Sequence, residues 1–209
     1  MQTLQRGVRG RIVIALFVLV WCATALGDDL YVADTWLSPD VKTRELKKIL
    51  IVGITSDRDV RRHFENRFVS YLRGRRYDGV TSHSIVPDLS RIENRREILD
   101  TIAELQVDSV ITVRLVPMDI SKKLAEEWIA SWEGRLETYT SVRQLIEESL
   151  PDSEVKAKRY GVEVALWTVE PAQRIWAARS STHTRKQLKK GVSDFVLTVM
   201  DDLKLAELL

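Results

Sequence analysis

The sequence predicts a single α/β domain with a mixed sheet, whose elements follow the order β-α-β-α-β, a helical insertion, then β-β-α. Three observations predict this fold class. Residues 49–54 form a continuous apolar run, which is typical of a strand buried on both faces. Helical and strand-like periods then alternate as far as residue 116, which favours right-handed crossovers onto one sheet. Two later strand-like runs are joined by a short polar turn, which indicates a hairpin.

The first strand and the first helix are the clearest elements. The strand covers residues 49–54, and Thr55-Ser56-Asp57 then supplies side chains that cap a helix N-terminus. The helix that follows has one apolar stripe, made of Val60, Phe64, Phe68, Tyr71 and Leu72. Its opposite face is charged, and we expect these side chains to face solvent: Arg61, Arg62, Glu65 and Arg67.

The middle of the chain predicts a second strand, a second helix and a third strand. Gly74 and Gly79 bracket a break, and a short strand is expected over 80–86, before Pro87. The second helix is indicated by the spacing of Ile92, Ile98, Leu99, Ile102 and Leu105. The segment 107–116 alternates as a strand does, with one face made of Ser109, Ile111, Val113 and Leu115.

The last third predicts the hairpin and a closing helix. Strand-like runs at 160–169 and 174–181 flank Glu170-Pro171-Ala172-Gln173, a polar turn with proline at a favoured position. The second run is expected to be an antiparallel edge of the sheet, where a strand from another chain could pair. A final helix begins near residue 188, and its apolar face is made of Leu188, Val192, Phe195, Val196, Val199 and Leu203.

A helical insertion is predicted at 119–159, between the third strand and the hairpin. Its candidate interface is the set Leu124, Trp128, Trp132 and Leu136, in which the first three recur every fourth residue. Ile129 lies alongside, and a second amphipathic piece carries Val142, Leu145 and Ile146. The tryptophan stripe has two interpretations: it packs onto the parent domain, or it contacts another subunit or a membrane surface, since tryptophan favours both places.

Residues 1–27 have the pattern of an export signal. Arg6, Arg9 and Arg11 form a positive segment without acidic residues, an apolar run follows at 12–20, and Ala25-Leu26-Gly27 offers small residues to a signal peptidase. The run is shorter than the roughly 20 residues of a permanent membrane helix. The predicted organisation is therefore a signal peptide at 1–27, a polar lead-in at 28–46 and the α/β domain at 47–209, located in the periplasm.

Cys22 is the only cysteine and lies inside the signal, so the exported domain can form no disulfide. A lipid anchor on Cys22 is an alternative to cleavage after Gly27. Lipoprotein signal peptidases require a small residue just before the cysteine, and Trp21 does not fit there, although Leu19 is acceptable. Three outcomes stay open: a soluble exported protein, a lipidated one, and an uncleaved anchor.

Removing the signal changes the charge of the chain. The whole chain has 32 Lys and Arg against 30 Asp and Glu; the signal holds three of the arginines, so the mature chain is 29 minus 30, or −1. A near-neutral chain lacks the basic excess of a nucleic-acid-binding protein. Arginine clusters nevertheless occur, at 58/61/62, 73/75/76 and 95/96. They indicate either a solvated helix face or a weak contact with anionic lipid head groups or an acidic polysaccharide.

The sequence favours a protein without catalytic, cofactor or metal sites. Ser82-His83-Ser84 superficially suggests a nucleophile and a base, but adjacent strand residues point to opposite faces and no Gly-x-Ser-x-Gly turn is present. His63 is expected to face solvent. Asp57 and Asp59 suit a helix N-terminus, and neither they nor Asp201-Asp202 have histidine or cysteine ligands at metal-binding spacing. Gly53 stands alone, without the glycine spacing that cradles a phosphate.

Four motifs carry a resemblance to small bacterial envelope domains. They are Lys48-Ile49-Leu50-Ile51-Val52-Gly53-Ile54-Thr55, Arg62-His63-Phe64-Glu65-Asn66-Arg67-Phe68, Gln106-Val107-Asp108-Ser109-Val110-Ile111 and Arg174-Ile175-Trp176-Ala177-Ala178. With the order of elements, they resemble the group that includes the N-terminal domain of the Tol-Pal translocation protein, the curli secretion lipoprotein and the outer-membrane activators of penicillin-binding proteins. Within it the chain is most similar to uncharacterised lipoproteins, over about 47–208.

The resemblance implies a non-enzymatic component of the cell envelope that binds partner proteins, often as a homo-oligomer, and it carries over no catalytic residue. Relatives of this kind usually have a proper lipidation box, from which Trp21 departs. Two alternatives stay open from the residues themselves. One is an envelope hydrolase that uses Glu or Asp of the insertion, and the other is a small-ligand-binding module with a pocket lined by tryptophans.

The export signal generates the first prediction. Expressed in a diderm bacterium, the chain should be recovered from the periplasm, and mass spectrometry should find Asp28 at its N-terminus. Cys22→Ser should leave this product unchanged, because cleavage after Gly27 does not use the thiol. Intact Met1 on cytosolic protein would contradict export, and a diacylated Cys22 would establish the lipid anchor instead.

Overall fold

A computed structural model describes residues 30, 32–39, 41, 46–55, 57–75, 77–89, 92–117, 141–148, 158–180 and 183–209. These ranges contain six strands and four helices. In chain order they are β1 (Val32–Leu37), β2 (Lys48–Ile54), α1 (Arg58–Arg73), β3 (Asp78–Thr81), α2 (Ile92–Glu104), β4 (Ser109–Pro117), α3 (Val142–Glu148), β5 (Tyr160–Thr168), β6 (Gln173–Ser180) and α4 (Arg185–Leu205). A short 3-10 helix, Ser82–Ser84, follows β3.

The six strands form one mixed sheet in the order β1-β6-β5-β4-β2-β3, which confirms the predicted α/β class. β2 pairs in parallel with both β3 and β4, whereas β4, β5, β6 and β1 pair antiparallel. From β2 the chain crosses through α1 to β3 on one side, then through α2 to β4 on the other. Two right-handed crossovers in opposite directions place α1 and α2 on opposite faces of the sheet.

Both faces of the sheet are covered, so the domain has three layers. On one face, Ile49 and Ile51 belong to a buried cluster with α1 and α4, where Phe64 and Phe195 meet edge to face at 6.2 Å between ring centres. On the other face, Leu50 belongs to a second cluster with α2 and α3. β2 is buried on both sides, as its unbroken apolar run predicts.

The prediction of an irregular lead-in at 28–46 is wrong for residues 32–37, which form β1. The sequence does not predict this strand because its side chains do not alternate between buried and exposed positions, and such alternation is the usual strand signal. Val32 and Trp36 are half-buried, and the other four residues of β1 are exposed. It forms because it pairs antiparallel with β6, with Thr35 opposite Ala178. Leu30, just before β1, packs against α4 so closely that a Cβ on Gly191 would lie 2.6 Å from the Leu30 Cβ.

A cation–π sandwich also holds β1 on the sheet. The Arg174 guanidinium of β6 lies 4.6 Å from the ring centre of Trp36 and 5.8 Å from that of Trp167. Stacking of this kind stabilises a contact by about 0.5–1 kcal/mol at exposed sites and more where water is excluded.

The expectation that 174–181 is an edge able to accept a foreign strand is also wrong, because β6 pairs with β5 on one side and with β1 on the other. The outer strands within the described ranges are β1 and β3. Asp78 N–H donates to Lys47 O, so by strand alternation Gly79 and Thr81 face outward. Their carbonyls accept hydrogen bonds from the side chains of Arg73 (3.5 Å) and Ser84 (2.7 Å).

The β1 edge is protected by a different device. The pairing of β1 shifts register between Val32 and Asp34, and the Asp34 carboxylate accepts the Thr35 N–H at 2.9 Å. Ser38 N–H donates to β6, so by the same alternation the Thr35 N–H is an outward-facing group. Bulges, charges and short length are the usual means by which proteins prevent edge-to-edge association.

The strand expected at 80–86 is shorter and earlier than predicted, ending at Thr81. The chain turns there because the side chains of Ser82 and Ser84 hydrogen-bond to α1 and to Thr81, which competes with continued strand pairing.

Asp108 joins the N-terminal ends of β2 and β4. Its Oδ2 atom accepts the backbone N–H groups of Lys47 (2.7 Å) and Lys48 (3.0 Å), and Ser109 Oγ donates to its Oδ1 atom at 3.0 Å. The Asp108 backbone O accepts the N–H of Val169, at the end of β5. The Asp108 side chain therefore ties β2 to β4 at this end of the sheet, which explains the aspartate in the Gln106–Ile111 motif, and its backbone carbonyl adds the end of β5.

Asp108→Ala should destabilise the protein by about 2–3 kcal/mol, because two backbone N–H groups lose a charged acceptor. The midpoint of urea unfolding measures this loss. Asp100→Ala on the exposed side of α2 is the matched control, and it should change the free energy of unfolding by no more than about 0.5 kcal/mol. Equal midpoints for the two variants would show that Asp108 does not hold the strands.

Candidate functional site

A buried polar network lies at the carboxyl end of β2. Glu65 of α1 is at its centre. Its Oε1 atom accepts Gly53 N–H (2.8 Å), Arg61 Nε (2.9 Å) and Ser82 Oγ (2.7 Å), and its Oε2 atom accepts His83 N–H (2.7 Å). Arg61 and Glu65 are 2% and 0% exposed, so this is an ion pair sealed from solvent.

The prediction that Arg61 and Glu65 face solvent is therefore wrong, whereas Arg62 and Arg67 are exposed as expected. The reason is Gly53. A Cβ at that position would lie 2.8 Å from Arg61 Cγ and 3.2 Å from Glu65 Oε1, so only glycine leaves room for the pair against the strand. A glycine that interrupts an apolar strand, followed by an Arg and a Glu one helical turn apart, was the sequence signal available.

Ser82 and His83 do not form a nucleophile and base pair. The Ser82 hydroxyl is 1% exposed, donates to Glu65 and accepts from Arg61 Nη2 at 2.7 Å. The His83 ring instead lies near the surface, with Nε2 2.8 Å from Asn66 Oδ1. Both side chains thus connect the 3-10 helix to α1. His63 is exposed, as predicted.

A second charged group crosses the sheet on the α2 and α3 face. Arg114, Glu163, Arg179 and Asp34 lie directly opposite one another on β4, β5, β6 and β1, so that their signs alternate. Arg114 Nη2 contacts Glu163 Oε2 at 2.7 Å. Opposite charges on directly facing strand positions stabilise the pairing. The sequence could not reveal this row, because it depends on the register of four strands.

A third group lies on the surface between α1 and α4. Tyr71 OH donates to Asp201 Oδ1 at 2.8 Å, and the Arg75 guanidinium covers the Tyr71 ring at 4.6 Å and lies 3.6 Å from the Asp201 carboxylate. Partial burial, and then the hydrogen bond to Asp201, raise the pKa of the Tyr71 phenol. Burial and the neighbouring Asp201 charge raise the pKa of Asp202.

The candidate interface of Leu124, Trp128, Trp132 and Leu136 lies outside the described residues. The second piece of the insertion is described: Val142, Leu145 and Ile146 of α3 are buried in the cluster that includes α2, as the amphipathic pattern predicts. Arg58 of the predicted arginine clusters contacts Asp88 at 3.2 Å.

Within the described ranges, no three His, Cys, Asp or Glu side chains come together as a metal site would require. The same ranges contain no helix whose length and apolarity would let it cross a membrane.

Comparison with known proteins gives a weak structural similarity only. No family model matches the chain, and no curated protein matches its sequence. Among solved structures, two crystal forms of the PelC dodecamer from Paraburkholderia phytofirmans are similar, one of them a single-residue variant. Their TM-scores are 0.41 and 0.42 at 12% and 14% identity, over 81% of this chain and 96% and 94% of theirs. We draw nothing about function from similarity at this level.

Removing the charge of one partner should show that the buried network holds the fold. Glu65→Gln leaves the buried Arg61 cation without a counter-charge, and we expect a loss of about 3–5 kcal/mol in the free energy of unfolding. Arg61→Met combined with Glu65→Gln should lose less than the sum of the two single variants, because the second change removes the uncompensated charge. Urea unfolding of all four proteins measures the coupling, and strictly additive losses would contradict it.

Ser82→Ala separates a structural from a catalytic serine. The variant loses one donor to Glu65 and one acceptor for Arg61, so a decrease of about 1–3 kcal/mol in unfolding free energy is expected. Thr198→Ala on the exposed part of α4 serves as the control for loss of a hydroxyl. A stable Ser82→Ala protein that has lost hydrolysis of an ester substrate shown by the unmodified chain would argue for a nucleophile.

Proposed function

We propose that this chain is an exported, non-enzymatic protein of the bacterial cell envelope that binds a partner protein through the insertion 119–159. Self-association through the same segment is part of the proposal. The export pattern of residues 1–27 supports the location, and the position of the insertion on the sheet supports the binding role.

The observation that carries the proposal is the point at which the chain leaves the sheet to enter the insertion. β4 ends at Pro117 beside β2, and the chain has crossed from β2 to β3 in one direction and from β3 to β4 in the other. The carboxyl ends of β2 and β4 therefore form the topological switch point of the sheet. In open α/β sheets, ligands bind outside the strands at this point.

Both ends of the insertion are fixed to the domain. At its start, β4 pairs with β2 and β5 along its length. Towards its end, α3 is buried against α2, and the Tyr160 backbone exchanges hydrogen bonds with His183 at 2.7 and 2.8 Å. A loop held at both ends by packed elements is the usual arrangement for a binding segment on a rigid scaffold.

The polar groups of the described domain support binding over catalysis. Both carboxylate oxygens of Glu65 accept hydrogen bonds within the domain, and Arg114 is ion-paired with Glu163. Catalytic groups instead converge on a pocket that a substrate can enter.

Trp128→Ala combined with Trp132→Ala tests the proposal. The double variant should unfold within a few degrees of the unmodified protein and should lose self-association and capture of its envelope partner. Thermal unfolding, sedimentation velocity and affinity capture with mass spectrometry measure the three properties.

Leu145→Ala in α3 is the control. It should lower the free energy of unfolding by about 2–5 kcal/mol, because it leaves a cavity in the cluster with α2, while the folded fraction still captures the partner. If the tryptophan variant loses stability on that scale and keeps its sedimentation and capture profiles, the stripe packs onto the domain and the proposal fails.

A further inference from the structure

We propose that the outer face of α1 is a second binding surface, whose ligand is an acidic polysaccharide carrying carboxylate groups. It is made of residues outside the insertion and goes beyond the function proposed above, from which it takes only the exported location. The surface is defined by Arg62, Asn66, Arg67, Ser70 and Arg73.

The segment that contains α1 is strongly basic. Residues 58–75 contain six arginines and two acidic residues, a net charge of +4. Three of the arginines contact carboxylates: Arg61 with Glu65, Arg58 with Asp88 and Arg75 with Asp201. In the described structure the other three, Arg62, Arg67 and Arg73, have no carboxylate within ion-pair distance, and all three are exposed. Unneutralised guanidinium groups on one helix attract an anion.

The outer side of α1 also has a shape that can hold a ligand. Two grooves adjoin along the outer side of α1, and Ser70 lines both. The first has a volume of about 430 Å³ and lies between α1 and the β3 edge, with Arg73, Asn66, Thr81 and Ser84 in its wall. Its wall also contains one carboxylate, that of Asp78, which lies 4.0 Å from Lys48 Nζ. The second, of about 300 Å³, is lined by Arg67, Tyr71, Gly74 and Arg75 as well as Ser70. The first groove thus combines one guanidinium group with side-chain hydroxyls, and the second combines two guanidinium groups with them.

The length of the surface suits a chain-like ligand. Arg62 and Arg73 are eleven positions apart on nearly the same side of α1, which is about 16 Å at 1.5 Å per residue. Along the helix axis Arg67 lies between Arg62 and Arg73. Around the helix, Ser70 separates Arg67 from Arg73, since Ser70 lines both grooves. A polymer with repeated anionic units can contact all three, whereas one small anion cannot.

The absence of exposed apolar side chains on this face favours a saccharide over a membrane or a protein. The exposed residues of α1 are Arg58, Asp59, Arg62, His63, Asn66, Arg67, Ser70 and Arg73, all polar. A helix that binds a membrane surface inserts apolar side chains, and the centre of a protein interface is enriched in aromatic and apolar groups. Hydroxyl, amide and guanidinium groups together match the hydroxyls and carboxylates of a uronic-acid polymer.

The buried network explains why this surface is preformed. Arg61 and Glu65 fix the rotation of α1 against Gly53, so the opposite side of the helix turns outward. Arg73 Nη2 additionally reaches the Gly79 carbonyl, which positions this side chain at the rim of the first groove. A rigid surface loses less conformational entropy on binding.

Binding of the full mature chain to alginate, a polyuronate, tests the proposal. The triple variant Arg62→Glu, Arg67→Glu, Arg73→Glu should bind at least about tenfold more weakly, because three attractive contacts become repulsive. The matched control reverses three exposed cations elsewhere, Arg96→Glu, Lys186→Glu and Lys190→Glu, and should change affinity by no more than about twofold. Affinity should also fall as salt rises.

Three results would overturn the proposal: no saturable binding to alginate, equal weakening by the control variant, or tighter binding to polyglutamate or to anionic phospholipid vesicles than to alginate. Circular dichroism checks that the variants fold. If the triple variant unfolds, Arg62→Gln with Arg67→Gln replaces it, since both side chains are exposed and should contribute little to stability.

The experiment also separates this inference from the proposed function. Trp128→Ala with Trp132→Ala should keep alginate binding, and the triple arginine variant should keep self-association and partner capture. Loss of alginate binding in the tryptophan variant would place the polysaccharide site on the insertion and overturn the assignment to α1.

Discussion

The packing of α1 on the sheet depends on one carboxylate. Glu65 accepts hydrogen bonds from β2, from α1 itself and from the 3-10 helix that follows β3, all inside the protein. Leaving several buried donors without an acceptor is far costlier than the net gain from any one of these bonds. The arrangement is therefore nearly all-or-none: the strand end, the helix and the turn must come together for each of them to be satisfied.

We infer that this buried ion pair contributes more to the specificity of packing than to its stability. Taking Arg61 and Glu65 out of water costs several kcal/mol, and their attraction roughly offsets that cost when the geometry is good. What the pair does is select one rotation of α1 and one position of the turn. The short β3 and the outward orientation of Arg62 and Arg67 follow from that selection.

The two outer strands of the described sheet are both shielded, which bears on how the domain can meet other molecules. Side chains occupy the outward carbonyls of β3, and a bulge with an aspartate interrupts β1. Strand addition is disfavoured at edges of this kind. The two binding sites that we propose, the insertion and the outer face of α1, accordingly do not depend on a free strand edge.

Local patterns in the sequence determined the fold class, because the burial of a strand or a helix face leaves a pattern of apolar residues that does not depend on the rest of the chain. The unbroken run at 49–54, the helical stripe from Val60 to Leu72 and the two strand-like runs at 160–180 are such patterns, and the structure confirms each of them. The tertiary structure alone decided three things. β1 exists because β6 offers it a partner, and its own residues have no alternation. Arg61 and Glu65 are inside because Gly53, from another element, leaves space for them. The charged row joins four strands whose register no local pattern encodes. For β1 and for the charged row the deciding atoms belong to segments distant in the chain, so the local sequence carried no signal of the environment. For Arg61 and Glu65 the deciding atoms lie in the preceding strand, and the glycine there was the one local signal.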